Sequence, residues 1–164
     1  MTFYRVNMRT LIYAVAFTLT FVAFNSATYG TPTREPEKFP HIVGSVQFPQ
    51  TKAKIVRHTF RLQIPQESSA LSQLIINVPR GLTVTNNIRV SDQSGRKINT
   101  KISVNGSTVL VAFPEPVAPG NRLEIDMNNV RISGVTNTWS YHISANLVGI
   151  DVDIPIGVAQ FRFY

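Results

Sequence analysis

The chain has 164 residues, carries 16 Lys and Arg against 9 Asp and Glu for a formal net charge of +7, and contains no cysteine. This length suits one domain with a sizeable core, while the lack of cysteine excludes disulfides, thiolate metal sites, a cysteine nucleophile and lipid attachment at an N-terminal cysteine. The basic excess is moderate, interleaved with acids and free of any nucleic-acid motif, so nucleic acid is not expected as a partner; a weak attraction to anionic envelope surfaces is compatible with it.

Residues 1–9 are polar and include Arg5 and Arg9, Leu11 to Phe24 is apolar apart from two threonines and one tyrosine, and the small-residue segment Asn25 to Gly30 follows. That order reads as a secretory signal peptide over residues 1–30, cleaved after Ala27 or Gly30. The alternative is an uncleaved anchor, because the uncharged stretch extends from Thr10 to Thr33. A bilayer-crossing helix wants about 20 mostly apolar residues, and the strongly apolar part is shorter. In both cases the arginines stay inside and the remainder is exported, to the periplasm, the exterior or a thylakoid lumen. Membrane contact is expected only through the leader, if it is uncleaved.

Residues 31–40, TPTREPEKFP, hold three prolines and four charges with no hydrophobic period and read as a Pro-rich linker; the folded domain is expected over 41–164. From there the period is two. Phe60, Leu62 and Ile64 alternate with Thr59, Arg61 and Gln63, and Leu74, Ile76 and Val78 mark a second strand from Leu71. Ser68 and Ser69 offer a cap for one helical turn, but the β-branched pair Ile75 and Ile76 favours strand.

Two hairpins are expected next. Ile88 to Ser91 meets Lys97 to Val104 across Asp92-Gln93-Ser94-Gly95, and Ile98 to Val104 meets Thr108 to Phe113 across a type I′ turn at Asn105-Gly106. Pro114, Pro116, Pro119 and Gly120 predict a turn-rich connection. Leu123, Ile125 and Met127 then alternate, followed by Trp139, Tyr141, Ile143 and Ala145, and last by Val148, Ile150, Val152, Ile154 and Ile156, leading into Ala159, Phe161 and Phe163. Short strands punctuated by turns, without an amphipathic helix, predict an all-β domain, best fitted by an immunoglobulin-like antiparallel β-sandwich after the signal segment.

The strand His58-Thr59-Phe60-Arg61-Leu62 with Ile64-Pro65, the run Pro116-Val117-Ala118-Pro119-Gly120, the Val130-Arg131 step and the closing Gly157-Val158-Ala159-Gln160-Phe161-Arg162-Phe163-Tyr164 together resemble a family of exported cyanobacterial proteins grouped as a domain of unknown function, DUF2808. The resemblance runs from His58 to Tyr164, and the segment from Asn146 to Pro155 departs from the family's usual loop. It implies an all-β secreted domain and a cyanobacterial origin, and it carries no activity.

Chemistry-bearing residues are few. Asp151 and Asp153, two apart, would share one strand face and offer oxygens to calcium, although two carboxylates are few for an ion that takes about 6 to 8 ligands. His41, His58, His142 and Met127 suit copper or zinc but show no ligand spacing, and strand histidines on the polar phase are expected to be exposed. No G-x-S-x-G turn marks a nucleophile, and no carboxylate pair stands out. Trp139 and Tyr141 share a phase and are expected in the core rather than on a sugar-binding face. Asn105-Gly106-Ser107 is formally a glycosylation acceptor and is better explained as a turn.

The best candidate surface is an anion-binding face of Arg89, Arg96, Lys97 and Lys101, with Asn99 between the lysines. A solvated face whose lysines discourage edge aggregation explains the same residues. The expectation is thus an exported, non-catalytic cell-envelope module without cofactors, partnered by an envelope protein or an acidic polysaccharide. A glycan- or metal-binding exported module is the second reading. A small outer-membrane β-barrel is the third, prompted by the aromatic tail Phe161-Arg162-Phe163-Tyr164.

Overall fold

A computed structural model describes residues 38–162; the expected signal segment and most of the expected Pro-rich linker lie outside the described residues. Alternation of apolar and polar side chains produces ten strands: β1 (His41–Phe48), β2 (Ile55–Gln63), β3 (Leu71–Asn77), β4 (Leu82–Thr83), β5 (Ile88–Asp92), β6 (Lys101–Asn105), β7 (Thr108–Val117), β8 (Arg122–Ile132), β9 (Thr138–Leu147) and β10 (Ile154–Arg162). One sheet runs β1-β2-β8, with β4 and β5 laid one after the other along the far edge of β8. The other runs β10-β9-β3-β7-β6, and every pairing is antiparallel.

Between the sheets lies a single apolar layer. Phe60 and Leu62 of β2, Leu123, Ile125 and Met127 of β8 and Val90 of β5 face Leu74 and Ile76 of β3, Val109 and Val111 of β7 and Tyr141, Ile143 and Ala145 of β9, all fully or almost fully buried. A strand with period two has one side to bury, and two such sheets bury theirs against each other. The result is the expected immunoglobulin-like β-sandwich. It also retires the outer-membrane reading, since a spanning barrel turns its apolar residues outward and its polar ones inward.

Several local expectations are corrected. The turn at Asp92 forms, with the Gly95 N–H donating to the Asp92 carbonyl at 2.9 Å, but its pairing ends once the Ile98 N–H reaches the Val90 carbonyl. The chain then leaves the first sheet, and β6 begins in the second at Lys101, so the expected single strand is two pieces serving different sheets. Asn105 pairs with Thr108, which makes Gly106 and Ser107 the central turn residues. Gly106 has φ 58° and Ser107 does not share the positive region, a pattern that fits a type II′ turn rather than type I′. A simple turn, not a helical one, follows Pro65.

The proline-rich connection is also shorter than expected. β7 continues through Pro114 and Pro116, because its pairing with β3 jumps from Gln73↔Ala112 to Leu71↔Val117 and leaves residues 113–116 in a bulge. There a proline deprives no ladder of a donor. Finally, Val148 to Asp153 is a loop turning at Gly149, not a strand, so Asp151 and Asp153 stand exposed on the loop rather than on one strand face. In β10 the buried phase changes from Ile156 to Ala159 and Phe161, and the irregularity at Gly157, φ 134°, supplies the extra residue this requires.

Trp139, 2 % exposed, packs against the β3–β4 and β8–β9 connections at Gly81 and Gly134. A Cβ on Gly134 would lie 2.5 Å from the Trp139 ring, whereas one on Gly44 would meet nothing within 4 Å. Gly134→Ala should therefore destabilise the domain by about 1–3 kcal/mol and perturb the emission of this one tryptophan. Gly44→Ala should leave both nearly unchanged in parallel urea titrations.

Candidate binding surface

The polar chemistry of the interior centres on His58. It sits on the inward phase of β2 with Phe60 and Leu62 and is fully buried, contrary to the expectation of an exposed histidine. Extending the Phe60, Leu62, Ile64 alternation by one step toward the N-terminus would have placed it inside. The Gln47 side-chain amide of β1 donates to the Pro49 and Thr51 carbonyls at 3.1 and 3.2 Å, which turns its oxygen toward His58. His58 Nε2–H then donates to Gln47 Oε1 at 3.0 Å, and Nδ1 accepts from the Tyr141 hydroxyl of β9 at 2.8 Å. The ring stacks on Phe161 at 4.2 Å, and Tyr141 meets Phe161 edge-on.

Both ring nitrogens are committed, so His58 has no lone pair to spare for a metal. Register sets Met127 opposite His58, but both are sealed in the core, whereas His142 is exposed and His41 lies at the start of β1. Among the described residues no three His, Cys, Asp or Glu side chains gather into a metal site. Tyr141, Ile143 and Trp139 are likewise core, leaving no aromatic platform on β9.

Burial pushes the His58 imidazole down to about 4 and the Tyr141 phenol up. The folded domain refuses a proton that the unfolded chain accepts near its ordinary value of 6.5. Stability is therefore complete above that pH and falls as pH drops from 6.5 toward 4, by on the order of 3 kcal/mol in total. His58→Gln, which can still hydrogen-bond but cannot titrate, should flatten this slope in urea denaturation measured across the same window. Hydrogen bonds from Ser94 chiefly, then Arg96, lower the half-buried Asp92 to about 2, and its contribution is lost only at lower pH.

The four basic residues singled out in the sequence are all exposed, spread around the corner where the chain changes sheets. Arg89 stands on β5 across from Asp126, and Lys97 bridges to Ser91 after the turn. Lys101 opens the edge strand β6 in the other sheet. Arg96 is not free: its guanidinium grips Asp92 at 2.8–2.9 Å and rigidifies the turn. Lys97 lines a shallow depression of about 440 Å³ with Asn99 and Glu115.

The outer face of the β1-β2-β8-β5 sheet adds an array that sequence reasoning missed. Arg57 and Arg61 occupy the outward phase of β2, and Arg122 begins β8. Arg61 Nε donates to Glu124 at 2.8 Å and Arg122 Nε to Gln63 at 3.2 Å, fixing both side chains while their terminal nitrogens remain available. Both line an open depression of about 390 Å³ beside Ser91, Gln93 and Gly95. Arg57 is 3.9 Å from Asp126, which also accepts from Thr59, and lies over the Phe48 ring. Alternation flagged Arg61 as outward, but only strand order shows that Arg122 lies in the same sheet face.

The model of a family described as a protein of unknown function matches residues 33–159, reaching further toward the N-terminus than the segments that carried the sequence resemblance. No curated protein matches the chain. Solved structures with a similar fold include the N-terminal domain of the Streptococcus gordonii adhesin Sgo0707, at 10% identity and TM-score 0.53, where the match covers 79% of this chain and 33% of that one. The major pilin GBS80 of Streptococcus agalactiae is similar at 11% identity and TM-score 0.51, over 75% of this chain and 56% of the pilin fragment. The collagen-binding subdomain of the Enterococcus faecalis surface protein ACE is similar at 14% identity and TM-score 0.50, over 76% and 97%.

Proposed function

The chain belongs to the DUF2808 family, and from that starting point we propose that it is an exported, non-catalytic interaction module of a cyanobacterial cell envelope that binds an acidic polysaccharide. The observation carrying this reading is the placement of its polar chemistry. His58, Tyr141 and Gln47 satisfy one another out of reach of solvent, whereas the unneutralised charge stands on the surface. Lys97 and Lys101 have no carboxylate partner among the described residues, and Arg61 and Arg122 are braced through Nε with their other donors directed to solvent-facing space.

A guanidinium held in this way loses little freedom when a carboxylate docks on its remaining edge, which suits a uronate-bearing polymer. The fold also houses an adhesin domain, a collagen-binding subdomain and a pilin, which accords with work done by contact. Sheet faces and loops are where such a sandwich carries its function. Export rests on the charged, apolar and small-residue order of the leader.

Retention on immobilised polygalacturonate at low salt, lost as salt rises, is the expected behaviour. The pair Lys97→Glu and Lys101→Glu should elute at clearly lower salt with unchanged thermal stability. Passage of the unmodified protein straight through at low salt would rule out the polysaccharide, and crosslinking in intact cells would then test for an envelope protein in its place.

A further inference from the structure

Strand order gathers four connections at one end of the sandwich: 49–54 between β1 and β2, 78–81 between β3 and β4, 106–107 between β6 and β7, and 133–137 between β8 and β9. They are tied together by backbone bonds: Ile132 N–H donates to the Lys54 carbonyl, Ser133 N–H to Gly81 and Val78 N–H to Ser107, at 2.7–2.9 Å. On these turns and the adjoining strand ends stand Lys52, Lys54, Arg80, Arg131 and Arg162, all exposed, and no described acidic residue. At the opposite end lie the acids Glu67, Asp151 and Asp153 on connections, Asp92 at the end of β5 and Glu115 in the β7 bulge. That opposite end also carries Arg96, Lys97 and Lys101, so what sets the first end apart is a set of cations with no described acid among them.

The same end carries three of the most exposed apolar side chains. Phe48 is 64% and Ile55 54% exposed, and Val135, on the β8–β9 connection, is 102% exposed. Between the β1–β2 and β8–β9 connections runs an open groove of about 610 Å³, lined by Lys52, Lys54, Ile132, Val135 and the backbone around Ser133 and Gly134. Apolar side chains protruding among unopposed cations meet two demands of an anionic bilayer at once, burial in the acyl boundary and attraction to headgroup charge. A soluble acidic polymer satisfies the second and leaves Phe48, Ile55 and Val135 in water, so the combination favours lipid.

We propose that this end of the sandwich docks on anionic lipid surfaces, with Val135, Ile55 and Phe48 entering the interface and Lys52 and Lys54 holding a headgroup phosphate in the groove. The site lies at the other end of the domain from Lys97 and Lys101 and does not depend on the polysaccharide reading.

The absence of cysteine allows a single polarity-sensitive fluorophore on the full chain, at Val135→Cys or, as the opposite-end control, at Val152→Cys. Vesicles of phosphatidylglycerol mixed with phosphatidylcholine should shift the Val135→Cys label to the blue, with the effect fading as salt rises. Pure phosphatidylcholine should not, and the control label should stay unchanged in both. Adding Lys52→Glu and Lys54→Glu should weaken the vesicle response roughly tenfold or more. The proposal fails if the label at 135 does not respond to phosphatidylglycerol, or if the label at 152 responds equally, since the leader would then account for the binding. It also fails if soluble polygalacturonate shifts the label and vesicles do not, which would make this end a polysaccharide site.

Discussion

Everything in this domain depends on the face-to-face burial of two pleated sheets. The apolar sides of β2 and β8 have no other way to leave water than against β3 and β9, and each fully buried Leu, Ile or Phe at that contact contributes roughly 1.5–3 kcal/mol. The hairpins, crossings and bulges can be understood as accommodations to that layer. Where a strand would fall out of phase with it, an extra residue restores the phase, at Gly157 in β10 and beside Asn129, φ 55°, in β8. Where a connection would interrupt it, as at Pro114 and Pro116, the chain bulges outward and the strand resumes.

Within this layer His58 is an exception that the surrounding side chains resolve. A buried imidazole is costly unless both nitrogens are paired, and here one partner comes from each sheet: Gln47 from β1 and Tyr141 from β9. The chain of donors runs in one direction, from the Tyr141 hydroxyl through the ring to Gln47 and on to the carbonyls of the β1–β2 connection. It fixes one tautomer and ties the edge strand to the core. The neighbouring edges β1 and β10 meet at Ser45, whose hydroxyl donates to the Gln160 carbonyl, so the two sheets are joined along this side by polar as well as apolar contacts.

The outer surface follows a different logic. Acids on the face of the β2-β8 pair are consumed locally, Glu124 by Arg61 and Asp126 by Thr59 and Arg57. Exposed pairs of this kind add little stability, but they hold long side chains in place. The arginines thereby become oriented donors instead of mobile charges. The remaining charge is divided unevenly: one end mixes acids with Arg96, Lys97 and Lys101, while the turns at the other carry cations and exposed apolar side chains without a described acid.

The sequence alone determined the class of the fold and nearly all of its core, because period two is a local property: Phe60, Leu62, Leu74, Ile76, Leu123, Ile125, Tyr141 and Ile143 declare their side without reference to any partner. It also located most turns, since Gly and Pro restrict the backbone residue by residue. What it did not decide were the features that need two distant segments at once. The division of 88–105 between two sheets, the passage of β7 through its prolines and the loop at 148–153 were settled by which strand lay alongside. The pairing of His58 with Tyr141, 83 residues away, and the gathering of Lys52, Arg80 and Arg131 at one end were settled the same way. Alternation gives each side chain a side, but only tertiary packing gives it neighbours, and binding surfaces are made of neighbours.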